Sequence, residues 1–200
     1  MLEGLDLSEC HSLVEIHPSI GQLSKLRYLL LEGCESLTDL PCMSAVMQSL
    51  TKLELAFCSK ISSFPKFTGI MKSLSELNLS WTAIKKVPPS SINCLTALTF
   101  LNLAFTNLEC LPSNMDNLTF LETLNLTRCQ KLKSLPRLPS TVRCLNVLSC
   151  FSLKWLPARV KLSIWSQSLS QWLPYDERHS QKEFKILVHF LQVNSFLSLP

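Results

Sequence analysis

Apolar and polar positions follow a fixed phrase along most of the chain. In the phrase that begins at Leu74, leucines occupy the first, fourth and sixth positions and Thr82 occupies the ninth. The same phrase returns 24 residues later, beginning at Leu98 and reaching Thr106. Apolar residues at alternate positions predict a short β-strand with one buried face. A phrase that repeats every 20–29 residues or so predicts a solenoid in which each turn adds one strand to a shared parallel sheet.

Seven such phrases follow one another in the sequence. They begin at Leu2, Leu26, Leu50, Leu74, Leu98, Leu121 and Val142. In each one the first, fourth and sixth residues are predicted to point into the core, and the residues between them are predicted to face solvent on the concave side. This spacing is that of a leucine-rich repeat. It predicts an α/β leucine-rich-repeat solenoid of about seven repeats, with a curved parallel sheet on the concave face.

A second apolar pair and a proline follow most phrases, as in Leu37, Leu40 and Pro41. Proline removes a backbone donor and fixes φ, so it disfavours a long helix at this point. The convex face is therefore predicted to consist of loops and short helical turns. The repeat array is assigned to residues 1–158.

Residues 159–200 form a C-terminal tail without the repeat. A helix is predicted near residues 181–193, because one face of that segment is apolar. That face carries Phe184, Leu187, Val188 and Leu191. The helix would either cap the last coil or be an unrelated apolar segment, and the sequence leaves both interpretations open.

A small residue stands eight positions after each phrase begins. These ladder residues are Cys10, Cys34, Cys58, Thr82, Thr106, Cys129 and Cys150. We interpret the position as the point where the chain turns inward and its backbone groups need a hydrogen-bond partner. Aspartate at Cys34 is therefore predicted to destabilise the fold strongly, and aspartate at the neighbouring Gly33 is predicted to be tolerated.

Nine cysteines are present in the chain, and five of them occupy the ladder, one per coil. This placement argues against a disulfide framework and favours a reduced, intracellular compartment. No two cysteines have the C-x-x-C spacing, so we predict no metal site. The chain begins with a repeat phrase rather than a secretory signal, and a cytoplasmic location, with the nucleus as a second compartment, is expected.

Composition and charge narrow the classes of function. Net charge is +4 and the pI is about 8.6, short of the strongly basic balance of a nucleic-acid-binding domain, and we predict no nucleic-acid partner. The charge is uneven, since residues 1–40 hold seven acids and two basic residues whereas residues 123–175 hold eight basic residues and no acid. The two ends are expected to carry opposite electrostatic fields.

Catalysis, cofactor binding and membrane insertion have no support in the sequence. With four glycines and no G-x-x-x-x-G-K-[ST] phosphate loop, the chain is predicted to bind no nucleotide or other cofactor. Its histidines lie in no arrangement that sequence alone would make catalytic, and we predict that it is not an enzyme. The longest apolar run is shorter than the ~20 residues of a spanning helix, so no membrane contact is predicted.

Several segments resemble one family of plant proteins. They are residues 69–74 (GIMKSL), 82–88 (TAIKKVP) and 135–139 (LPRLP), together with the alternation of cysteine and threonine coils. These phrases are similar to the receptor half of plant nucleotide-binding leucine-rich-repeat disease-resistance proteins, in the class with an amino-terminal Toll/interleukin-1-receptor-like domain. The resemblance covers residues 2–157 or so. It implies an intracellular immune receptor whose repeats restrain a nucleotide-binding switch.

The resemblance also implies the kind of partner, which is a pathogen effector, a guarded host protein or the nucleotide-binding domain of the same receptor. Because that domain and the signalling domain are missing here, the chain is expected to be a fragment, a splice product or a truncated protein. Its first strand would then be open to solvent, and we expect the isolated chain to aggregate. A general intracellular leucine-rich-repeat scaffold fits the same pattern and stays open as the alternative.

One surface position carries aromatic residues in three consecutive coils. Seven residues after the phrase begins, the chain has Phe57, Trp81 and Phe105. Adjacent parallel strands lie about 4.8 Å apart, so these rings are predicted to stack on the concave rim. Exposed aromatic clusters concentrate interface energy, and we predict a protein-binding surface here. The predicted surface also includes Tyr28, Lys52, Glu54, Glu76, Phe100 and Arg128. Alternatively, the rings fold over the strand ends as internal packing.

Overall fold

The computed structural model describes residues 2–154, which form a solenoid with one strand per turn. The strands are β1 (Gly4–Asp6), β2 (Tyr28–Leu30), β3 (Lys52–Glu54), β4 (Glu76–Asn78), β5 (Phe100–Asn102), β6 (Thr123–Asn125) and β7 (Cys144–Asn146). They make a single parallel sheet in chain order. Each strand begins two residues after a predicted phrase begins, so the sequence period fixes the register. The predicted leucine-rich-repeat sheet is confirmed.

A stack of leucines fills the space behind the sheet. In the inner coils the first, fourth and sixth residues of the phrase are fully buried, as Leu26, Leu29 and Leu31 show. Leu37 and Leu40 meet them from the convex side and are also buried. Each coil therefore buries its apolar residues against both neighbouring coils, which is how a solenoid obtains a continuous core.

Strand β1 forms one edge of the described sheet. Its inward residues Leu5 and Leu7 are only half-buried, and Leu2 is 46% exposed. The equivalent residues of β2 are fully buried because β1 covers them on one side and β3 on the other. An edge strand of this kind presents unpaired backbone groups and uncovered leucine to solvent.

The convex connections of residues 2–154 contain one short α-helix and two short 3₁₀ turns. Helix α1 spans Pro89–Cys94, and the 3₁₀ turns span Pro18–Gln22 and Met115–Asn117. Proline suits the first position of α1 because the N–H it lacks would have no partner inside the helix. The predicted loops and short helical turns are confirmed. The predicted tail helix lies outside the described residues. Within them, no helix has the length and apolar character needed to cross a membrane.

The ladder residues close the coils with two kinds of hydrogen bond. The Cys58 thiol donates to the carbonyl oxygen of Leu31 in the preceding coil, with Sγ and O 3.1 Å apart. The same bond to a preceding coil is made by Cys34, Cys129 and Cys150. Thr82 instead donates to Leu79 of its own coil, with Oγ1 and O 2.7 Å apart. The cysteines therefore bond to carbonyls of the preceding coil, whereas the threonines bond to carbonyls of their own coil; Thr106 Oγ1 also lies 3.4 Å from Cys129 Sγ in the next coil.

All nine cysteines lie in the described part of the chain, and all are free thiols. Burial raises the pKa of the Cys58 and Cys150 thiols to about 12, because a thiolate at either position would lose its hydration. Burial also raises the pKa of Cys129. Since the thiolate is the reactive form, these ladder cysteines are neutral and inert in the folded chain.

We expect thiol alkylation to separate the buried cysteines from the exposed ones. Iodoacetamide at about pH 8 should modify Cys10, Cys42 and Cys110 quickly and should leave Cys58 and Cys150 intact until the chain unfolds. Peptide mass spectrometry measures the extent of modification at each position. Modification of Cys58 as fast as that of Cys110 in the folded protein would contradict its place in the ladder.

The raised pKa values of the Cys58 and Cys150 thiols predict a loss of folding stability at alkaline pH. Their pKa is higher in the folded state than in the unfolded state, where it is about 8.5. The folded state therefore holds the thiol protons more tightly, and this stability is fully present below about pH 8.5 and is lost as pH rises toward 12. Urea unfolding of the parent and of Cys58→Ala across this range measures the effect. An equal alkaline loss in both proteins would contradict this origin.

Candidate protein-binding surface

The residue just before the ladder has a left-handed backbone in every coil. Gly33 has a φ of 73°, and the six non-glycine residues at this position have φ between 58° and 61°. They are Glu9, Phe57, Trp81, Phe105, Arg128 and Ser149. The backbone N–H of each of the first six coils bonds to the next coil, as when Trp81 donates to the Ala104 carbonyl at 2.9 Å. The backbone hydrogen bonds of the sheet thus continue into the rim and hold the rim backbone in place.

Bulky side chains are unusual in this backbone conformation. The left-handed region costs an L-residue about 1–2 kcal/mol, and glycine, asparagine and aspartate are the residues that adopt it most readily. Gly33 shows that glycine fits the position, yet three consecutive coils carry Phe57, Trp81 and Phe105 there. Backbone geometry therefore does not account for the aromatic residues. Strain of this kind at an exposed position is a reason to look for a function.

The three rings form one stack along the rim. The ring centroids of Phe57 and Trp81 are 5.6 Å apart with planes inclined by 18°, and those of Trp81 and Phe105 are 3.9 Å apart with planes inclined by 13°. The guanidinium carbon of Arg128 lies 5.5 Å from the Phe105 centroid and extends the stack by one coil. We call these four residues the rim stack. Phe57 and Trp81 are 46% and 44% exposed, so their rings pack on one another rather than inside the leucine core.

Four other predicted residues share one row of the concave sheet. Tyr28, Lys52, Glu76 and Phe100 lie side by side on β2 to β5. The Nζ atom of Lys52 is 3.7 Å from a carboxylate oxygen of Glu76 on the next strand. Tyr28 is exposed and Phe100 is half-buried. This row therefore combines an ion pair with two aromatic side chains on the concave face.

Glu54 is less exposed than its charged neighbours Lys52 and Glu76, and its part in the predicted surface stays a prediction. Its side chain is only 12% exposed, and its carboxylate accepts a hydrogen bond from the Ala56 N–H at 3.3 Å. Burial raises the pKa of Glu54, whereas the Ala56 N–H and Lys52 act in the opposite direction. Glu54 therefore helps to hold the end of β3 through a backbone donor.

Four asparagines line the concave face in a row that was not predicted from the sequence. Asn78, Asn102, Asn125 and Asn146 end strands β4 to β7. Each Oδ1 atom accepts the N–H of the residue two positions later, at 3.0–3.1 Å. Asp6 makes the same bond at the end of β1. The side chains therefore satisfy backbone donors that the ending strands leave free. The available signal was an asparagine at the fifth position of four consecutive phrases.

Replacing Asn125 by alanine is expected to lower the free energy of unfolding by about 1 kcal/mol. Its Oδ1 atom accepts both the N–H of Thr127 at 3.0 Å and the Thr127 hydroxyl at 2.7 Å. Asn125→Asp keeps the acceptor and should stay close to the parent, as Asp6 fills the same role in β1. Urea unfolding compares the variants. A loss with aspartate as large as that with alanine would contradict an acceptor role.

Gly33 lies against the carboxylate of Glu9 in the neighbouring coil. An added Cβ atom would lie 2.6 Å from Oε1 of Glu9, and the φ of 73° favours glycine. An aspartate at Gly33 would place a second carboxylate beside that of Glu9, and like charges at this distance disfavour each other. The Glu9 carboxylate is the end of a flexible, exposed side chain that can move, so it stays a prediction that aspartate destabilises far less at Gly33 than at the buried Cys34.

Residues 2–154 contain no group of three or more histidine, cysteine, aspartate or glutamate side chains placed to hold a metal ion. Aromatic and charged side chains cluster instead at the rim stack and in the neighbouring row on the strands. Such a surface can exclude water and form ion pairs at its edge, which is the anatomy of a protein interface.

A parallel strand in each turn, a leucine core and a ladder of turn residues define a leucine-rich-repeat solenoid. Residues 48–108 match the family model of the leucine rich repeat. No curated protein matches the chain.

Two solved structures extend this comparison. The leucine-rich repeat domain of the type III effector XopL is similar with a TM-score of 0.66 and 26% identity, over 77% of this chain and 54% of that one. The functional domain of InlJ from Listeria monocytogenes, described as including a cysteine ladder, has a TM-score of 0.51 and 19% identity, over 74% of this chain and 30% of that one. The chain thus spans about half the length of the XopL structure and about a third of the InlJ structure. The similarity to InlJ shows the fold alone.

Proposed function

We propose that the chain is a protein-recognition module and that the rim stack is the centre of its binding surface. One observation carries the proposal: the rings of Phe57, Trp81 and Phe105 are stacked at a backbone position that disfavours bulky residues, and the first two are exposed. Solenoids bind partners through extended concave surfaces. Tryptophan and arginine are enriched among the residues that dominate interface energy, and the rim stack contains both.

The surroundings of the rim stack suit an interface. The rings supply an apolar centre, while Lys52, Glu76 and Arg128 supply charges at its edge. Backbone hydrogen bonds between coils fix the rim, and each ring of the stack restricts its neighbours. Binding would therefore order few additional side chains, which keeps the entropic penalty of association low.

Within this role, we propose that the chain is the recognition part of an intracellular plant immune receptor, acting in the cytoplasm or the nucleus. The phrases at residues 82–88 and 135–139 support this proposal, and the ladder of free thiols suits a reducing compartment. The partner bound at the rim stack would be a pathogen effector or a guarded host protein. A second contact with the receptor's own nucleotide-binding domain would restrain its switch.

A pull-down tests this finer proposal against a general scaffold. The full chain is immobilised and challenged with purified nucleotide-binding domains from plant receptors of the Toll/interleukin-1-receptor-like class. We expect one or more of them to be retained, and Cys58→Asp as bait should not retain them, because its coils would be destabilised. If none is retained by the folded parent, a general leucine-rich-repeat scaffold becomes the better description.

A further inference from the structure

The rim stack is capped by a cation at one end only. Arg128 lies over the ring of Phe105, 5.5 Å from its centroid. At the other end, Phe57 stacks on Trp81 with one face and turns its other face toward the coil of Gly33, which has no side chain. Within residues 2–154, no second ring stacks on that face and no cation lies over it. The stack thus ends at Phe57, whose side chain is 46% exposed, beside the coil of Gly33.

A carboxylate occupies the place that a side chain at Gly33 would take. Glu9 occupies the rim position of the next coil outward, and its Oε1 atom lies 2.6 Å from where a Cβ atom of Gly33 would be. The carboxylate therefore stands about one strand spacing, or ~4.8 Å, from the coil of Phe57. Its side chain is 68% exposed, and Oε2 is 3.4 Å from the Nε2 atom of His11. A negative charge is thus presented beside the open ring face.

The surrounding surface has the same sign of charge. Glu32 and Glu35 lie on either side of Gly33 in the sequence and are both exposed. Across residues 1–40, acids outnumber lysine and arginine by seven to two. This end of the solenoid therefore attracts cations. An aromatic face next to a carboxylate fits a guanidinium best, because that group is planar, stacks on rings and pairs with carboxylates through two parallel hydrogen bonds.

We propose that an arginine side chain of the protein partner binds at this end of the rim stack, with its guanidinium packed against the exposed ring of Phe57 and paired with the exposed carboxylate of Glu9. The inference rests on the proposed function, since it names the chemistry that the partner brings to the rim stack. Arg128 on Phe105 provides the same contact within the chain. With the partner bound, both ends of the stack are capped by a guanidinium.

Selection of random phage-displayed peptides on the full chain tests the proposal. We expect the selected peptides to be enriched in arginine over lysine. For a synthetic peptide from this set, Phe57→Ala should lower the affinity about tenfold and Glu9→Gln about two- to fivefold. Glu15→Gln removes the same charge from the same coil, five residues beyond the ladder, and should leave the affinity unchanged. Thermal unfolding followed by circular dichroism verifies that each variant is folded.

A second measurement does not depend on any variant. In the complex, the Cδ protons of the peptide arginine should shift upfield in the proton NMR spectrum, because they lie over an aromatic ring. Selected peptides without an arginine preference, or an affinity unchanged by both Phe57→Ala and Glu9→Gln, overturn the proposal. If Trp81→Ala still abolishes peptide binding in that case, the rim stack stands and only the arginine site is wrong. If Trp81→Ala also has no effect, both are wrong.

Discussion

Replacing Cys58 by aspartate is expected to lower the free energy of unfolding by about 3–5 kcal/mol. Cys58 is fully buried, and its thiol donates to the Leu31 carbonyl. A carboxylate would accept nothing from that carbonyl and would lose its water shell. The environment that raises the pKa of the thiol to about 12 disfavours any negative charge there.

Phe57→Asp is the matched control for this variant. It introduces the same side chain one residue earlier, at an exposed position with a φ of 61°, which aspartate adopts more readily than most residues. We expect a loss of about 1 kcal/mol, from the stacking on Trp81. Urea unfolding monitored by circular dichroism measures both variants. Similar losses at positions 57 and 58 would show that the ladder is not the buried position.

The loss caused by Cys58→Asp should depend on pH. Burial would raise the pKa of the new carboxyl above its unfolded value of about 3.9, so the folded state would bind its proton more tightly than the unfolded state. That contribution is fully present below the unfolded pKa and is lost as pH rises through the folded pKa. Relative to the parent at the same pH, the variant should therefore be least destabilised near pH 4 and most destabilised at neutral pH.

The sheet and its register could be predicted from the sequence because two spacings vary little: the alternation of side chains along a strand and the number of residues per coil. Side chains alternate along a strand, and coils of nearly constant length place equivalent residues on neighbouring strands. The leucines at Leu26, Leu29 and Leu31 therefore had to be buried, and the rings of Phe57 and Trp81 had to lie on adjacent coils. Both placements follow from spacing alone, without knowledge of side-chain conformation.

The hydrogen bonds of the strand ends could not be predicted in the same way. Gly33 is the one residue at the rim position whose type indicates a left-handed backbone. The other six residues at that position are not glycine, so their sequence does not indicate it. The burial of Glu54 depends on how its side chain folds back to the Ala56 N–H, which spacing does not determine. Likewise, a thiol and a hydroxyl at the same ladder position donate to different carbonyls, which the spacing of the phrase does not determine.

The largest expected effect on binding is that of Trp81→Ala, which should weaken the binding free energy for the protein partner by at least ~2 kcal/mol. Trp81 is the central ring of the rim stack and contacts Phe57 and Phe105 on its two faces. Its removal takes away the largest apolar contact and also loosens both neighbouring rings. The fold itself should lose about 1–2 kcal/mol, the contribution of two exposed stacking pairs.

Phe120→Ala is the control for this variant. Phe120 is 63% exposed and lies just before β6, at the opposite end of that strand from Arg128. Its truncation removes a large exposed ring without touching the rim stack, so the affinity should not change. Titration calorimetry gives the affinities, and thermal unfolding gives the stabilities. A Trp81→Ala protein that melts far below the parent would assign the ring to the core instead.

Hydroxyl-radical footprinting of the chain with and without its protein partner measures whether the partner covers the rim stack. Oxidation of Phe57 and Trp81, both exposed in the free chain, should fall sharply in the complex, while oxidation of the exposed rings of Phe120 and Phe151 should stay the same. Unchanged oxidation of Phe57 and Trp81 in a saturated complex would contradict the claim.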